Sequence, residues 1–117
     1  MPRVIHFELN ADQPERAVQF YRDVFNWQIT KTDGPEDYWL IDTGEEQQGI
    51  NGAITKRMNP EATTVNTINV ADLEASMGKI RQAGGKVLTE KMVIPGVGSF
   101  AYCQDTEGNT FGIIQEI

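Results

Sequence analysis

One structural pattern occurs twice along this 117-residue chain: an alternating strand, an amphipathic helix, and then three short strands. The first copy begins with RVIHFELN at residues 3–10, where apolar and polar side chains alternate. A period of two is typical of a strand that buries only one of its faces. The second copy begins with TTVNTINV at residues 63–70. The repeat predicts an α+β fold made of two βαβββ modules.

The two modules have about equal lengths and form one predicted domain, residues 1–117. We place module one at about residues 1–57, a connector at 58–62 and module two at about 63–117. In module one, short alternating segments predict further strands at 27–32, 37–43 and 49–57, with turns at DGPE (33–36) and GEEQQG (44–49). In module two they predict strands at 86–94, 99–104 and 110–117.

The first helix is predicted within ADQPERAVQFYRDVF. Asp12 stands where an N-cap is expected, Pro14 is tolerated in a first turn, and Glu15 completes a capping box. The predicted core-facing stripe, at helical spacing, consists of Ala17, Phe20, Tyr21 and Val24.

The second helix is predicted from Asp72, as its N-cap, to the pair Gly84-Gly85. Its apolar stripe consists of Leu73, Met77 and Ile80.

A sheet with a helix on one face leaves its other face uncovered, so two such sheets can curve together and enclose a cavity. If Phe7 and Leu9 pack under the first helix, the alternating residues of the same strand line that cavity. These are His6, Glu8 and Asn10. We expect ligand contacts from Asn10, Trp39, Val65, Thr67, Tyr102, Gly112 and Ile114.

Two motifs make the chain similar to the vicinal oxygen chelate superfamily, which includes glyoxalase I, bleomycin-resistance proteins and extradiol dioxygenases. HFELNADQPERAVQFYRDVFNW resembles the first strand and helix of that family, and FAYCQDTEGNTFGIIQ resembles its closing hairpin. The resemblance covers nearly the whole chain. It implies paired βαβββ modules around a cavity, and a symmetric homodimer with sites at or near the interface.

The resemblance also implies positions for a metal, since active members of the family usually hold a divalent ion on four side chains. His6 matches the first of these positions. Its counterpart in module two is Val65, the last-strand glutamate falls at Gly112, and residues 50–57 contain no histidine or acidic side chain. Because stable divalent sites use at least three protein ligands, we expect no metal and no other cofactor. A weakly held divalent ion on His6 and Glu8 is left open as an alternative.

His6 and Glu8 are the candidate catalytic residues, because a carboxylate desolvated beside an imidazole can act as a general acid or base near neutral pH. The competing interpretations are a cavity-lining hydrogen-bonding histidine and a solvated carboxylate paired at the rim. Trp39 is the aromatic candidate for stacking a flat ligand, against ordinary core packing. Cys103, the single cysteine, is expected to be a small buried apolar residue.

The amino-acid composition argues against two classes of partner. The net charge is −7, with 17 acidic and 10 basic residues, so nucleic acid and anionic membranes are not expected partners. The single cysteine and the lack of a signal-peptide pattern or a long apolar segment favour the cytoplasm.

Three functions therefore compete. The first is metal-independent binding of a small apolar or aromatic molecule by a protein of the glyoxalase or bleomycin-resistance type. The second is a lyase or isomerase that uses His6 and Glu8 on a small carbonyl compound. The third is a structural or regulatory partner with a filled interior. Glyoxalase I activity itself is not expected, because its enediolate needs a Lewis acid.

Overall fold

The computed structural model describes residues 1–34 and 36–117. Pro35, within the turn predicted at 33–36, lies outside the described residues. The elements, in chain order, are β1 Arg3–Ala11, α1 Pro14–Phe25, β2 Gln28–Lys31, β3 Tyr38–Asp42, β4 Asn51–Lys56, β5 Thr64–Asn69, α2 Leu73–Gln82, β6 Lys86–Val87, β7 Met92–Ile94, β8 Gly98–Gln104 and β9 Thr110–Glu116. Among the described residues, neither helix is long and apolar enough to cross a membrane.

Residue contacts divide the chain into two compact units. The first unit is His6–Val65, and the second combines Met1–Ile5 with Asn66–Ile117.

In the first unit the strand order is β2-β3-β4-β1, with β1 parallel to β4 and the other neighbours antiparallel. One face of this sheet packs against α1. The buried core consists of Val18, Ile29, Trp39, Ile41 and Ile54.

The second unit has the same plan. Strand β5 is parallel to β9, β9 is antiparallel to β8, and both β6 and β7 are antiparallel to β8. Its core consists of Val70, Leu73, Met77, Ala101, Cys103 and Ile113. The predicted α+β class and the repeated strand–helix order are therefore confirmed. The strand predicted at 86–94 is two short strands, and between them Thr89 Oγ1 accepts a hydrogen bond from the Tyr102 amide at 3.0 Å.

The prediction that Asp12 caps α1 was wrong. The N-cap is Gln13, which makes no side-chain cap hydrogen bond. The Asp12 carboxylate instead accepts from Arg57 Nε at 2.9 Å. The guanidinium of Arg57 is an alternative charged partner for this carboxylate, so Asp12 does not engage the backbone amides of α1. By contrast, Asp72 caps α2 as predicted, accepting from the Ala75 amide at 3.1 Å.

The predicted stripe of α1 was only partly right. Ala17 and Tyr21 pack against the core, whereas Phe20 and Val24 are each 55% exposed. Val18 and Pro14 are the buried residues of this helix. The buried face is thus rotated from the predicted one toward Val18, because it follows the position of the sheet under it.

Candidate functional site

The sheet of the first unit has one apolar face, which packs against α1, and one face that carries mostly polar side chains. Phe7 and Leu9 pack toward α1, so the alternating residues of β1 lie on the other face. The strand register extends that face: Glu8 pairs with Ala53, and Ala53 pairs with Leu40. We call this surface the His6 face; its members are His6, Glu8, Asn10, Tyr38, Leu40, Asn51, Ala53 and Thr55.

His6 and Tyr38 form the central contact of the His6 face. His6 Nε2 lies 3.3 Å from Tyr38 Oη. Burial lowers the pKa of His6 below its usual value of 6.5, so the imidazole is neutral at pH 7. Burial, reinforced by the charges of Glu8 and Glu36, raises the pKa of Tyr38 to about 12. The phenol therefore keeps its proton, and the contact is a hydrogen bond between two uncharged groups.

Glu8 is buried, with 9% of its surface exposed. This position differs from the solvated rim carboxylate that was the competing interpretation from the sequence. Glu8 lies two residues from His6 on the same face, and its charge acts on the Tyr38 hydroxyl. The structure thus brings both predicted catalytic residues to one surface and adds a third, Tyr38.

Two of the predicted ligand-contacting residues are engaged elsewhere in the first unit. The Asn10 amide lies on the His6 face, but its Nδ2 donates to the Thr63 carbonyl at 2.8 Å. Trp39 lies on the α1 side of the sheet within the core, with only 7% of its surface exposed. Its placement favours the core-packing interpretation. The neighbouring aromatic, Tyr38, is the one that shares a face with His6.

Four of the other predicted ligand-contacting residues lie along one face of the second unit's strands: Thr67, Tyr102, Gly112 and Ile114. Thr67 pairs with Gly112, and Gly112 pairs with Tyr102, which places all three on the side opposite α2. Val65 alternates in phase with Thr67 along β5. We call this surface the Gly112 face; its members in the second unit are Thr67, Phe100, Tyr102, Gly112 and Ile114. The rings of Phe100 and Tyr102 meet edge to face at 4.7 Å.

Apart from His6, the positions of metal ligands implied by the resemblance hold residues without suitable donor atoms. His6 and Val65 each lie eight residues before the first residue of the helix that follows, so the two positions are equivalent. Val65 has no donor atom. At Gly112 an added Cβ would lie 2.5 Å from Phe100 Cζ, so the phenyl ring occupies the space that a ligand side chain would need.

The strand β4 also lacks a suitable donor. Its residues on the His6 face include Ala53, which is fully buried, and Asn51, whose Oδ1 accepts from the Thr43 amide at 2.9 Å. Across residues 1–34 and 36–117, no three His, Cys, Asp or Glu side chains form a group that could hold a metal ion. The residues present do not fit the divalent ion implied by the family.

Cys103 in the second unit and a surface recess in the first unit are two further candidates. Cys103 is buried in the core beside α2, and burial raises the pKa of its thiol. The recess has a volume of about 630 Å³ and lies between the Phe7 and Trp27 rings and the exposed loop 43–50. It contains none of the predicted site residues. We favour the His6 face, because its polar groups are partly buried and bonded to one another.

Tyr38 is the functional candidate that the sequence reasoning did not select. The alternation in DYWLIDT already places Tyr38 and Trp39 on opposite faces. The choice between them depends on which face also carries His6. Which residue of β3 shares a face with His6 is determined by the pairing of β1 with β4 and of β4 with β3. Local sequence does not reveal that pairing.

Comparisons with known proteins find a matching family model and several similar sequences. The model of the Glyoxalase/Bleomycin resistance protein/Dioxygenase superfamily matches residues 3–113. A glyoxylase-like domain-containing protein from Didymella fabae is 32% identical over 112 residues, covering 91% of this chain and 88% of that protein. A probable lactoylglutathione lyase from Vibrio parahaemolyticus is 25% identical over 124 residues, covering 97% and 90%.

A solved structure has the same fold as this chain. The crystal structure of a superfamily member from Vibrio splendidus 12B01 aligns with a TM-score of 0.72 at 14% identity, covering 99% of this chain and all of that one. At this identity the similarity concerns the fold alone.

Proposed function

Because this chain belongs to the Glyoxalase/Bleomycin resistance protein/Dioxygenase superfamily, we propose that it binds a small apolar or aromatic molecule without a metal ion. The His6 face of the first unit offers polar contacts for such a molecule; the Gly112 face of the second unit, considered by itself, offers apolar and aromatic ones. The observation that carries this proposal is the loss of donors at the positions that the family implies: Val65 and Gly112 occupy two of them, and residues 50–57 contain no histidine or acidic side chain. A surface with few donor atoms suits a ligand that is mainly apolar and carries few polar groups.

The apolar contacts of the His6 face come mainly from Leu40. It lies two residues from Tyr38 on β3, and half of its surface is exposed. An exposed leucine beside a partly buried phenol offers a surface on which a ligand ring can rest. On the Gly112 face the edge-to-face pair of Phe100 and Tyr102 offers the same chemistry.

Calorimetric titration with zinc, nickel and manganese tests the metal part of this proposal. We expect no stoichiometric binding tighter than about 10 μM for any of the three ions, since one imidazole and one carboxylate give too few ligands. Sub-micromolar binding that is lost in His6→Gln would overturn metal independence.

Ligand binding is tested with a panel of small aromatic compounds followed by amide chemical shifts in NMR. Leu40→Asn should weaken binding of the compounds that shift residues of the His6 face. Val24→Asn is the matched control, because Val24 is similarly exposed, at 55%, but lies on α1. Equal weakening by both variants, or no shifts on either face with any compound, would contradict the proposal.

A specific observation favours a second candidate, a lyase or isomerase acting on a small carbonyl compound. His6, Tyr38 and Glu8 bring a neutral base, a protonated phenol and a carboxylate to one face. A carbon-bound proton can be removed by a base while the phenol donates to the carbonyl oxygen. For this candidate, kcat should fall at least a hundredfold in both His6→Gln and Tyr38→Phe, and a pH–rate profile should lose one limb in each.

The proposal also includes a homodimeric assembly and a cytoplasmic location. We expect a homodimer, supported by exposed apolar side chains on β7, where Val93 is 69% exposed. Light scattering of the purified chain tests it, and a monomer at 100 μM would contradict it. We place the protein in the cytoplasm, which suits its one cysteine, and fractionation of the native cells checks that location.

A further inference from the structure

We propose that the His6–Tyr38 pair makes the His6 face selective for an uncharged carbonyl compound with an aromatic or apolar body, and that it disfavours the corresponding carboxylate. This inference rests on the proposed function and specifies its ligand class. It follows from the hydrogen-bonding capacity of the pair, from the charges beside it, and from the neighbouring apolar surface.

The His6–Tyr38 pair has one hydrogen-bond donor more than its own contact uses. A neutral imidazole has one N–H group, and a phenol has one O–H group. The bond between His6 Nε2 and Tyr38 Oη uses one of these two donors, whichever tautomer is present. One donor of the pair is therefore left for another acceptor, either His6 Nδ1–H or the Tyr38 hydroxyl. A ligand carbonyl oxygen matches that requirement.

The charges beside the His6–Tyr38 pair are negative. The Glu8 and Glu36 carboxylates both act on Tyr38, and Glu8 is buried, where water screens its field poorly. No arginine or lysine is among the described members of the His6 face. A ligand carboxylate on the His6 face would therefore meet like charges, and the residues of this face supply no cation. A neutral carbonyl escapes that repulsion and keeps the hydrogen bond.

An exposed apolar side chain lies next to the pair. Leu40 lies beside Tyr38 on the same strand face, so a group that reaches the phenol also covers exposed apolar surface. Burial of that surface favours a ring or a short alkyl chain next to the carbonyl. A small polar carbonyl compound without such a body gains only the hydrogen bond.

Three probes with the same ring separate these contributions: toluene, benzamide and benzoate, titrated into ¹⁵N-labelled protein. We expect benzamide to shift residues of the His6 face and to bind at least tenfold more tightly than benzoate. Tyr38→Phe should weaken benzamide about fivefold, as the loss of one hydrogen bond predicts, and leave toluene unchanged. Tyr21→Phe is the matched control, since Tyr21 stacks on Trp27 on the α1 side.

Removing the negative charges tests the selectivity directly. Glu8→Gln should bring the benzoate affinity closer to that of benzamide. Glu36→Gln, at an exposed position, tests the same effect if the buried substitution prevents folding. If toluene and benzamide bind but benzoate binds as well as benzamide, the selectivity inference is wrong and the proposed function stands. If no probe shifts the His6 face or the Gly112 face, the proposed function itself fails.

Discussion

His6 and Tyr38 show how burial can hold two titratable groups in their uncharged forms. Burial disfavours the imidazolium of His6 and the phenolate of Tyr38. The two shifts have opposite signs, so the pair stays neutral over a wider pH range than either group would in water. The stability of the protein should therefore depend on pH at both ends of that range.

On the acid side, the dependence comes from His6. The unfolded chain takes up a proton near pH 6.5, whereas the folded chain resists it because the folded pKa is lower. The free energy of unfolding should therefore fall as the pH drops below about 7, until the folded histidine also titrates. Urea unfolding at pH 7.5 and 5.5 measures this fall, which should be smaller in His6→Gln. Equal falls in both proteins would show that His6 is not desolvated.

On the alkaline side, the dependence comes from Tyr38. Its pKa rises from 10.0 to about 12, so the unfolded chain loses this proton first and stability falls between those values. Because the ring is partly exposed, screening reduces the contribution to roughly 1–2 kcal/mol. Tyr38→Phe should lose less stability than the wild type between pH 9.5 and 11.5. Stopped-flow titration of tyrosinate absorbance provides an independent reading, and an ordinary pKa for all tyrosines would contradict the prediction.

The two helices show why equivalent local signals have different outcomes. Asp12 and Asp72 stand at similar places before their helices, and the sequence predicts both as caps. Only Asp72 accepts a helix amide, because Arg57 engages Asp12 from 45 residues away along the chain. A cap is a local feature and can be predicted from sequence, but a competing ion pair depends on the tertiary fold.

Because only Asp72 caps its helix, we expect alanine substitutions of the two aspartates to differ in their effect on stability. Asp72→Ala should destabilise the protein by about 1 kcal/mol through loss of the cap, and lower Tm by roughly 3–6 °C. Asp12→Ala should cost less than about 0.5 kcal/mol, because its carboxylate is mostly exposed and caps nothing. Calorimetric melting of the two variants checks the order. A larger effect for Asp12→Ala would mean that the bridge to Arg57 matters more than the cap.

Glycines in a helix and in a sheet should respond oppositely to the same added methyl group. Gly78 lies within α2, and a Cβ there meets nothing within 4 Å, so Gly78→Ala should stabilise by about 0.5–1 kcal/mol. Gly52 lies in buried β4, where a Cβ would contact the Phe7 carbonyl and lie 2.7 Å from its ring. Gly52→Ala should destabilise by roughly 1–3 kcal/mol. Chemical denaturation measures both, and effects of the same sign would contradict the packing described here.

Across the whole molecule, the repeat of a strand–helix–strands plan was the most predictable property. Alternation and helical spacing are local, so they survive in the sequence even where the two units share few residues. The division of faces was predictable within each strand. The partnership of His6 with Tyr38 was not, because it depends on register between strands that are far apart in the chain.

The overall charge leads to a prediction about macromolecular partners. Lys56 and Arg57 are the only two basic residues that are adjacent in the sequence, and both contact Asp12. Lys56 Nζ donates to the Asp12 backbone carbonyl at 2.6 Å, and Arg57 Nε donates to its carboxylate at 2.9 Å. With a net charge of −7, the chain should not bind a labelled DNA duplex at roughly 20 or 150 mM salt. Fluorescence anisotropy measures this. Asp12→Ala removes the carboxylate beside Arg57 but keeps the backbone carbonyl that accepts from Lys56. This variant should also fail to bind, because the loss of one carboxylate does not offset the remaining acidic field. Saturable binding that weakens with salt in either protein would contradict the charge argument and require a basic surface.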